Sequence, residues 1–366
     1  MRLTQTTSDY CGPGTAVGLM VVGLFATSLH ASPSVSSVDG EARHGETLTI
    51  EGSGFGSRTD GAPLLMDMTD TVWTRGEPAD PYAGLEDGAT VPTDSAYPWR
   101  GNTEGFFKIS RDGDSAPNGS SHYKATIGKN RWGDYRDAFI STPRAFPDPA
   151  GNDVRQLYMS WNLRLSFDST SQSGSHKFIR VWDTVSGSEE KFRLSWTQMH
   201  LVVTDYEEGP SWGSARPDPD IWNRMELLID IDEGIIRAWT NGRLIHDIDD
   251  FHLETNRGLQ PRLLGWDASG SASYPQETVE LSNIYADSTQ ARVEICDAPT
   301  WNECTVKEPQ IPTDWETDSI TISVNQGRLK TLQDAYVYVV DDEGATNEHG
   351  YALGASRPNP PSLRIE

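Results

Sequence analysis

Along residues 157–167, LYMSWNLRLSF, apolar side chains recur at every second position. Leu157, Met159, Trp161, Leu163, Leu165 and Phe167 share one side, leaving Tyr158, Asn162 and Arg164 on the other. A period of two is the mark of a strand with one face in a core. The segment WNRMELLIDI (222–231) repeats it, with Met225, Leu227, Ile229 and Ile231 as a core stripe against Arg224, Glu226, Leu228 and Asp230. Further short segments of alternating polarity are separated by turn-rich stretches such as DGDSAPNGSS, DSTSQSGS, EEGPSWGSARPDPD and DASGSASYPQ. Helical periodicity is nearly absent and no tandem repeat is evident, so the pattern predicts an all-β sandwich or jelly roll.

Three segments alternate less cleanly. KFIRVW divides into Lys177, Ile179 and Val181 against Phe178, Arg180 and Trp182; GIIRAWTNG divides into Ile235, Arg237, Trp239 and Asn241 against Ile236, Ala238 and Thr240. FRLSWTQMHLV, read as one extended strand, puts Phe192, Leu194, Trp196, Gln198 and His200 together. From these sides and from Glu226 comes a candidate ligand-binding set: Arg180, Trp182, Trp196, Gln198, His200, Glu226, Arg237, Trp239 and Asn241. A sugar presents an apolar C–H face and a rim of hydroxyls, which indole rings flanked by amide, guanidinium and carboxylate groups suit. Arg180 and Arg237 can also meet a uronate carboxylate or sulfate with two parallel hydrogen bonds. Against this stands a structural reading, in which tryptophans at alternate positions fill the core; it ranks first for Trp161, Trp222 and Trp239 and level for Trp182 and Trp196.

The 366 residues suffice for two domains or one large sandwich with an appendage. Lys plus Arg number 30 against 54 Asp plus Glu, a formal charge of -24, with no run of cations. Nucleic acid and anionic membranes are therefore excluded as expected partners, because a phosphate-tracking surface needs clustered cations. The apolar run AVGLMVVGLFATSL (16–29) is short for a membrane span, and LHA followed by SPS offers a cleavage site after Ala31. The expectation is a signal peptide over 1–31, no transmembrane span in the mature chain, and a secreted, cell-surface or periplasmic bacterial protein; an uncleaved anchor and a start at Met20 are the alternatives. Cys11 would leave with the leader. Cys296 and Cys304, eight positions apart, form the expected disulfide in an oxidising compartment, with a metal site or two free thiols as alternatives.

Two zones, GETLTIEGSGFG (45–56) and WETDSITISV (315–324) with AYVYVVDDEGATN (335–347), resemble pieces of an IPT/TIG domain, the immunoglobulin-like fold of many bacterial surface proteins and enzymes. Neither piece is long enough for a whole domain of about 100 residues. One split module is therefore expected, its parts at 32–66 and 291–353, with two small modules in series as the rival, and a Pro-rich tail over 354–366. The intervening 67–290 resembles the concanavalin A-like lectin/glucanase superfamily, the jelly roll of laminin-G-like domains, glycan-binding modules, glycosidases and lyases. LYMSWNLRLSF, HKFIRVW, WNRMELLIDI followed by GIIRAWTNGRLIHD, and VELSNIYAD carry the likeness.

The resemblance implies an extracellular polysaccharide as partner, held on a sheet face. It also opens a catalytic alternative, since jelly-roll alginate lyases use a Gln and a His one residue apart. Gln198-Met199-His200 matches that spacing, so His200 would be the base, Gln198 and Arg180 would hold a uronate carboxylate, and Tyr206 could assist. The lyases' R-x-E-L-R and Y-x-K-x-G-x-Y strands are missing, as are the glycosidases' paired carboxylates on one strand. A purely structural or adhesive envelope role is the third reading. The superfamily often carries a structural Ca²⁺, for which Asp67, Asp70, Asn283 and Asp287 supply hard oxygens near the ends of the central zone, with solvated turn carboxylates as the other reading. Asn118 in NGSS fits a glycosylation acceptor, though the segment reads equally as a turn.

Overall fold

The computed structural model describes residues 32–354 except 59, 114–120, 136, 148–153, 184–190, 205–208, 253–256 and 269–273. The expected leader with Cys11, the sequon at Asn118, Tyr206 and the tail beyond Gly354 lie outside the described residues. In chain order the strands are β1 (Ser34–Gly40), β2 (Thr47–Ser53), β3 (Leu65–Asp67), β4 (Val72–Thr74), β5 (Glu77–Ala79), β6 (Trp99–Asn102), β7 (Phe107–Ser110), β8 (His122–Thr126) and β9 (Asp137–Pro143). There follow β10 (Gln156–Leu165), β11 (Lys177–Trp182), β12 (Arg193–Thr197), β13 (His200–Val203), β14 (Ser211–Trp212), β15 (Asn223–Asp230), β16 (Ile235–Thr240), β17 (Arg243–Ile248) and β18 (Gln260–Asp267). The last are β19 (Thr278–Asp287), β20 (Arg292–Cys296), β21 (Lys307–Pro309), β22 (Ile311–Trp315), β23 (Ser319–Ser323), β24 (Tyr336–Val340) and β25 (Tyr351–Ala352).

Two sheets make the larger sandwich. A ten-stranded sheet runs β17-β16-β15-β10-β19-β3-β4-β5, with β8 and β7 branching from β19. A seven-stranded sheet runs β14-β13-β12-β11-β18-β9-β6. Between them lies one core, to which β10 contributes Leu157, Met159, Trp161, Leu163 and Leu165, and β15 contributes Met225, Leu227 and Ile229. Antiparallel pairing brings Leu157 opposite Ile229 and Met159 opposite Leu227, so each alternating stripe meets its like on the neighbouring strand.

A smaller sandwich packs β1-β2-β23-β22 against β21-β20-β24-β25. Strands from opposite ends of the chain pair directly, with Leu48 opposite Ile322 and Ile50 opposite Ile320, and these residues share a core with Val293, Ile295, Val337 and Val339. Cys296 and Cys304 are disulfide-bonded, their Cα atoms 5.8 Å apart.

Three expectations about faces need correction. The stretch 196–203 is a hairpin rather than one strand: β12 ends at Thr197, and the chain turns through Gln198 and Met199 into β13. Thr197 Oγ1 holds the turn, accepting from the His200 backbone N–H at 3.0 Å. In β11 the register slips between Lys177 and Ile179, so Phe178 turns into the core with Ile179 and Val181 instead of standing beside Arg180 and Trp182. On the ten-stranded sheet the side opposite the core is also covered: Tyr158, Leu228 and Tyr285 pack with Met66 of β3, with Met68 just after it, and with Ile311 of the smaller sandwich. The polar members of that side, Arg224 and Glu226, are buried with them.

Candidate functional site

The central strands of the seven-stranded sheet determine what its outer side carries. Alternation after the β11 slip points Arg180 and Trp182 outward, and antiparallel pairing puts Ser195 opposite Arg180 and Arg193 opposite Trp182. Val202 on β13 stands opposite Ser195. Lys177, Arg180, Arg193, Ser195, Val202 and Thr204 line an open depression of about 330 Å³. Across Trp182 lies Arg262 of β18, its guanidinium carbon 5.2 Å from the ring centroid, and Arg262 Nη1 donates to Gln260 Oε1 at 3.1 Å. Burial lowers the Arg262 pKa, and the charge of nearby Arg100 acts in the same direction.

This arrangement gathers Lys177, Arg180, Arg193 and Arg262 on three neighbouring strands of a chain whose net charge is -24. Asp267 neutralises part of it, 2.8 Å from Arg180 Nη2. Among the described residues no acceptor meets Arg180 Nε or Trp182 Nε1, and both atoms are enclosed by protein. Neighbouring strands lie about 4.8 Å apart. A polymer crossing them would meet a fresh cationic strand at about the length of one pyranose unit.

The candidate residues do not converge. Arg180, Trp182 and His200 lie on this side, His200 sharing it with Val202 of the same strand and with exposed Trp212 opposite it on β14. Trp196 is fully buried, edge-to-face with Trp161 and Phe178 at 6.0 and 6.1 Å between ring centroids, so it is a core residue and not a sugar platform. Gln198 is 2 % exposed and engaged at both ends of its amide. Its Oε1 accepts from the His176 backbone N–H and its Nε2 donates to the Gly174 carbonyl, each at 2.8 Å. It therefore braces a loop and cannot hold a substrate carboxylate. His200 stacks on exposed Trp212 with centroids 5.0 Å apart, and burial followed by the charge of Lys177 lowers its pKa. The lyase triplet is broken at Gln198, whose amide the hairpin turn commits to the loop at 174–176, while Arg180 and His200 stay on the outer side; the match at positions 198 and 200 presumed a straight strand.

Glu226, Arg237, Trp239 and Asn241 belong to the other sheet and line a cavity at its junction with the smaller sandwich. Asn241 sits in the β16–β17 turn at φ 51°, where its Oδ1 accepts from the Arg224 backbone N–H at 2.9 Å and its Nδ2 donates to Asn223 Oδ1. Arg237 pairs with Asp247 at 2.9 Å.

Sequence reasoning did not find Arg193 and Arg262. Arg193 precedes an apolar alternation and Arg262 follows a proline, so neither carried a signal without the pairing of β12, β11 and β18.

The calcium expectation fails on the donors. Asp67 is fully buried and accepts from Trp99 Nε1, the Tyr123 hydroxyl and the Thr69 N–H at 2.8, 2.7 and 2.9 Å. Asp287 accepts from Arg58 at 2.6 Å, the Tyr285 hydroxyl and the Ser288 N–H. Asp70 pairs with Arg111 and caps the Ser121 N–H, while Asn283 Nδ2 donates to Glu308. These oxygens are committed to protein donors, and Asp67, Asp70 and Asp287 do not form a cluster of ligand atoms within 4.8 Å. The four residues do not fit a cation.

No protein-family model matches the chain, and no curated protein matches it. Solved structures match about half of it. A glycoside hydrolase family 131 β-glucanase catalytic domain from Podospora anserina is 13 % identical, with 57 % of this chain and 94 % of that one covered and a TM-score of 0.37. A cellulose-induced protein matches at 17 % identity, 54 % and 90 % coverage and 0.35. An alginate lyase from Corynebacterium sp. matches at 12 %, 50 % and 80 %, and 0.31. The chain is all-β, built of antiparallel sheets, and these jelly-roll neighbours are distant; at such scores they carry no argument about its activity. Among the described residues no helix is long and apolar enough to cross a membrane.

Proposed function

We propose that the protein is exported and binds an acidic extracellular polysaccharide on the outer side of the seven-stranded sheet, with the smaller sandwich as an IPT/TIG-like support. One observation carries the reading: Lys177, Arg180, Arg193 and Arg262 converge beside Trp182 on a chain of charge -24. A guanidinium meets a carboxylate or sulfate with two hydrogen bonds in fixed geometry, and an indole covers the C–H face of a pyranose. Distributed cations favour a polymer over a single sugar, since each contact is weak and the contacts act together.

Binding is the reading favoured over β-elimination because Gln198 is consumed within the fold. The test is calorimetric titration of alginate, polygalacturonate and neutral β-glucan into the full chain. Acidic polymers should bind, neutral glucan should not, and affinity should fall as ionic strength rises. Arg180→Ala and Arg193→Ala should each weaken binding about tenfold, near the 1.5–3 kcal/mol of a hydrogen bond to a charged group. Equal binding by the neutral glucan would sink the proposal. Appearance of an unsaturated uronate absorbing in the ultraviolet would replace binding by lyase activity.

A further inference from the structure

The cavity at the junction of the two sandwiches has a volume of about 480 Å³, within the ~300–1,000 Å³ of small-ligand sites. One wall comes from the ten-stranded sheet and its β16–β17 turn, with Trp239 and Arg243; the other comes from the smaller sandwich, with Arg292, Lys307 and Trp301 of the short 3₁₀ turn Trp301–Glu303. The walls are held rigidly. Arg224 reaches across from β15 to bind both carboxylate oxygens of Glu294 on β20, at 2.8 and 2.7 Å, and Arg292 Nε donates to the same carboxylate at 2.7 Å.

Inside this frame the cations divide into two kinds. Arg292 is neutralised by Glu294, and Arg237 by Asp247. Lys307 is not: its Nζ lies 3.8 Å from the Trp301 ring centroid, and no carboxylate among the described residues forms an ion pair with it. Its ammonium faces the turn, 3.9 Å from where a Cβ at Gly242 would stand. Arg243, the next residue, donates to the Ser214 carbonyl at 3.3 Å and forms no ion pair among the described residues. Burial lowers the Lys307 pKa, against which Glu226 and Glu294 act. The Lys307 ammonium thus rests half-buried on an indole in a cavity that Arg243 also lines, and it forms no ion pair with Glu226 or Glu343, the carboxylates of that lining.

We propose that this cavity is a second binding site, taking one acidic sugar unit whose carboxylate meets Lys307 and Arg243 and whose pyranose ring lies against Trp239. The site is independent of the sheet-face reading, since it lies on the other sheet and uses none of the same residues. Its ligand can be a free uronate or the end of a uronate chain, because the cavity holds a sugar-sized group and not a length of polymer.

The experiment titrates galacturonate, digalacturonate, galactose and acetate into the full chain, read by tryptophan fluorescence and calorimetry. Saturable binding of galacturonate is expected, at least tenfold tighter than galactose or acetate, and a stronger response to digalacturonate assigns the site to chain ends. Lys307→Met should weaken it at least tenfold. Arg243→Gln, on an exposed turn where folding is not at stake, should weaken it severalfold. Arg180→Ala should leave it unchanged while weakening polymer binding, so failure of one proposal is distinguishable from failure of the other. The inference is overturned by no saturable response, by galactose binding as well as galacturonate, or by unchanged affinity in Arg243→Gln and a folded Lys307→Met.

Discussion

At the scale of single residues, the tryptophans separate by which side of a strand they leave. Trp196 and Trp182 belong to paired strands of one sheet and look alike in sequence, yet Trp196 fills the core and Trp182 stands outside beneath Arg262. Truncating each should act on different observables. Trp196→Ala leaves a void beside Trp161 and Phe178 and should cost about 3–5 kcal/mol in denaturant unfolding, the range for large buried aromatics. Trp182→Ala should change unfolding by less than about 1 kcal/mol, as surface substitutions do, and should weaken polysaccharide binding. Alternation found the core side of β10 and β15 because both strands are regular. It misplaced Phe178, since a one-residue slip in β11 moves a side chain to the other face and leaves no trace in composition.

At the scale of elements, the β12–β13 hairpin determines what Gln198 and His200 can do. A turn at Gln198–Met199 ends the strand, buries the glutamine amide, and delivers His200 to Trp212 on β14. Behind the hairpin, His246 of β17 is 1 % exposed, its Nδ1 3.0 Å from Ser211 Oγ and its Nε2 without a partner among the described residues. Burial, with the charge of His200 adding to it, lowers its pKa from 6.5 to about 4. The unfolded chain then binds a proton more readily than the folded one between those values, so stability present above pH 6.5 is lost as pH falls toward 4. His246→Phe should remove part of that loss. The check is the denaturant midpoint of both proteins across pH 7 to 4.5: the wild type should decline more steeply, and parallel curves would refute the assignment.

At the scale of the whole molecule, the junction is what the faces of separate strands do not disclose. Arg224 and Arg292 surround Glu294, and although burial alone would raise its carboxyl, the two guanidinium groups lower it from 4.5 to about 2. A depressed carboxylate contributes stability above its unfolded pKa that disappears as pH falls through the folded one. Glu294→Gln should destabilise the protein at pH 7 by about 3–5 kcal/mol, because it strands two buried cations. The difference from wild type, measured by urea unfolding, should narrow between pH 4.5 and 2.

Local order was legible: the all-β class, the core stripes of β10 and β15, and the Cys296–Cys304 bridge follow from side-chain period and spacing, which depend only on near neighbours along the chain. Of the candidate site, the sequence put Arg180 and Trp182 on one side of a strand but left Trp182 level between core and ligand platform and could not pair them with Arg193 and Arg262. Which strands lie side by side, which residue is skipped at a bulge, and which polar side is covered by a second sandwich are settled by contacts between segments far apart in sequence. Strand pairing therefore decided that cations converge on one sheet, and the closure of the smaller sandwich over the other decided that Glu226, Trp239 and Asn241 line a junction and not an open groove.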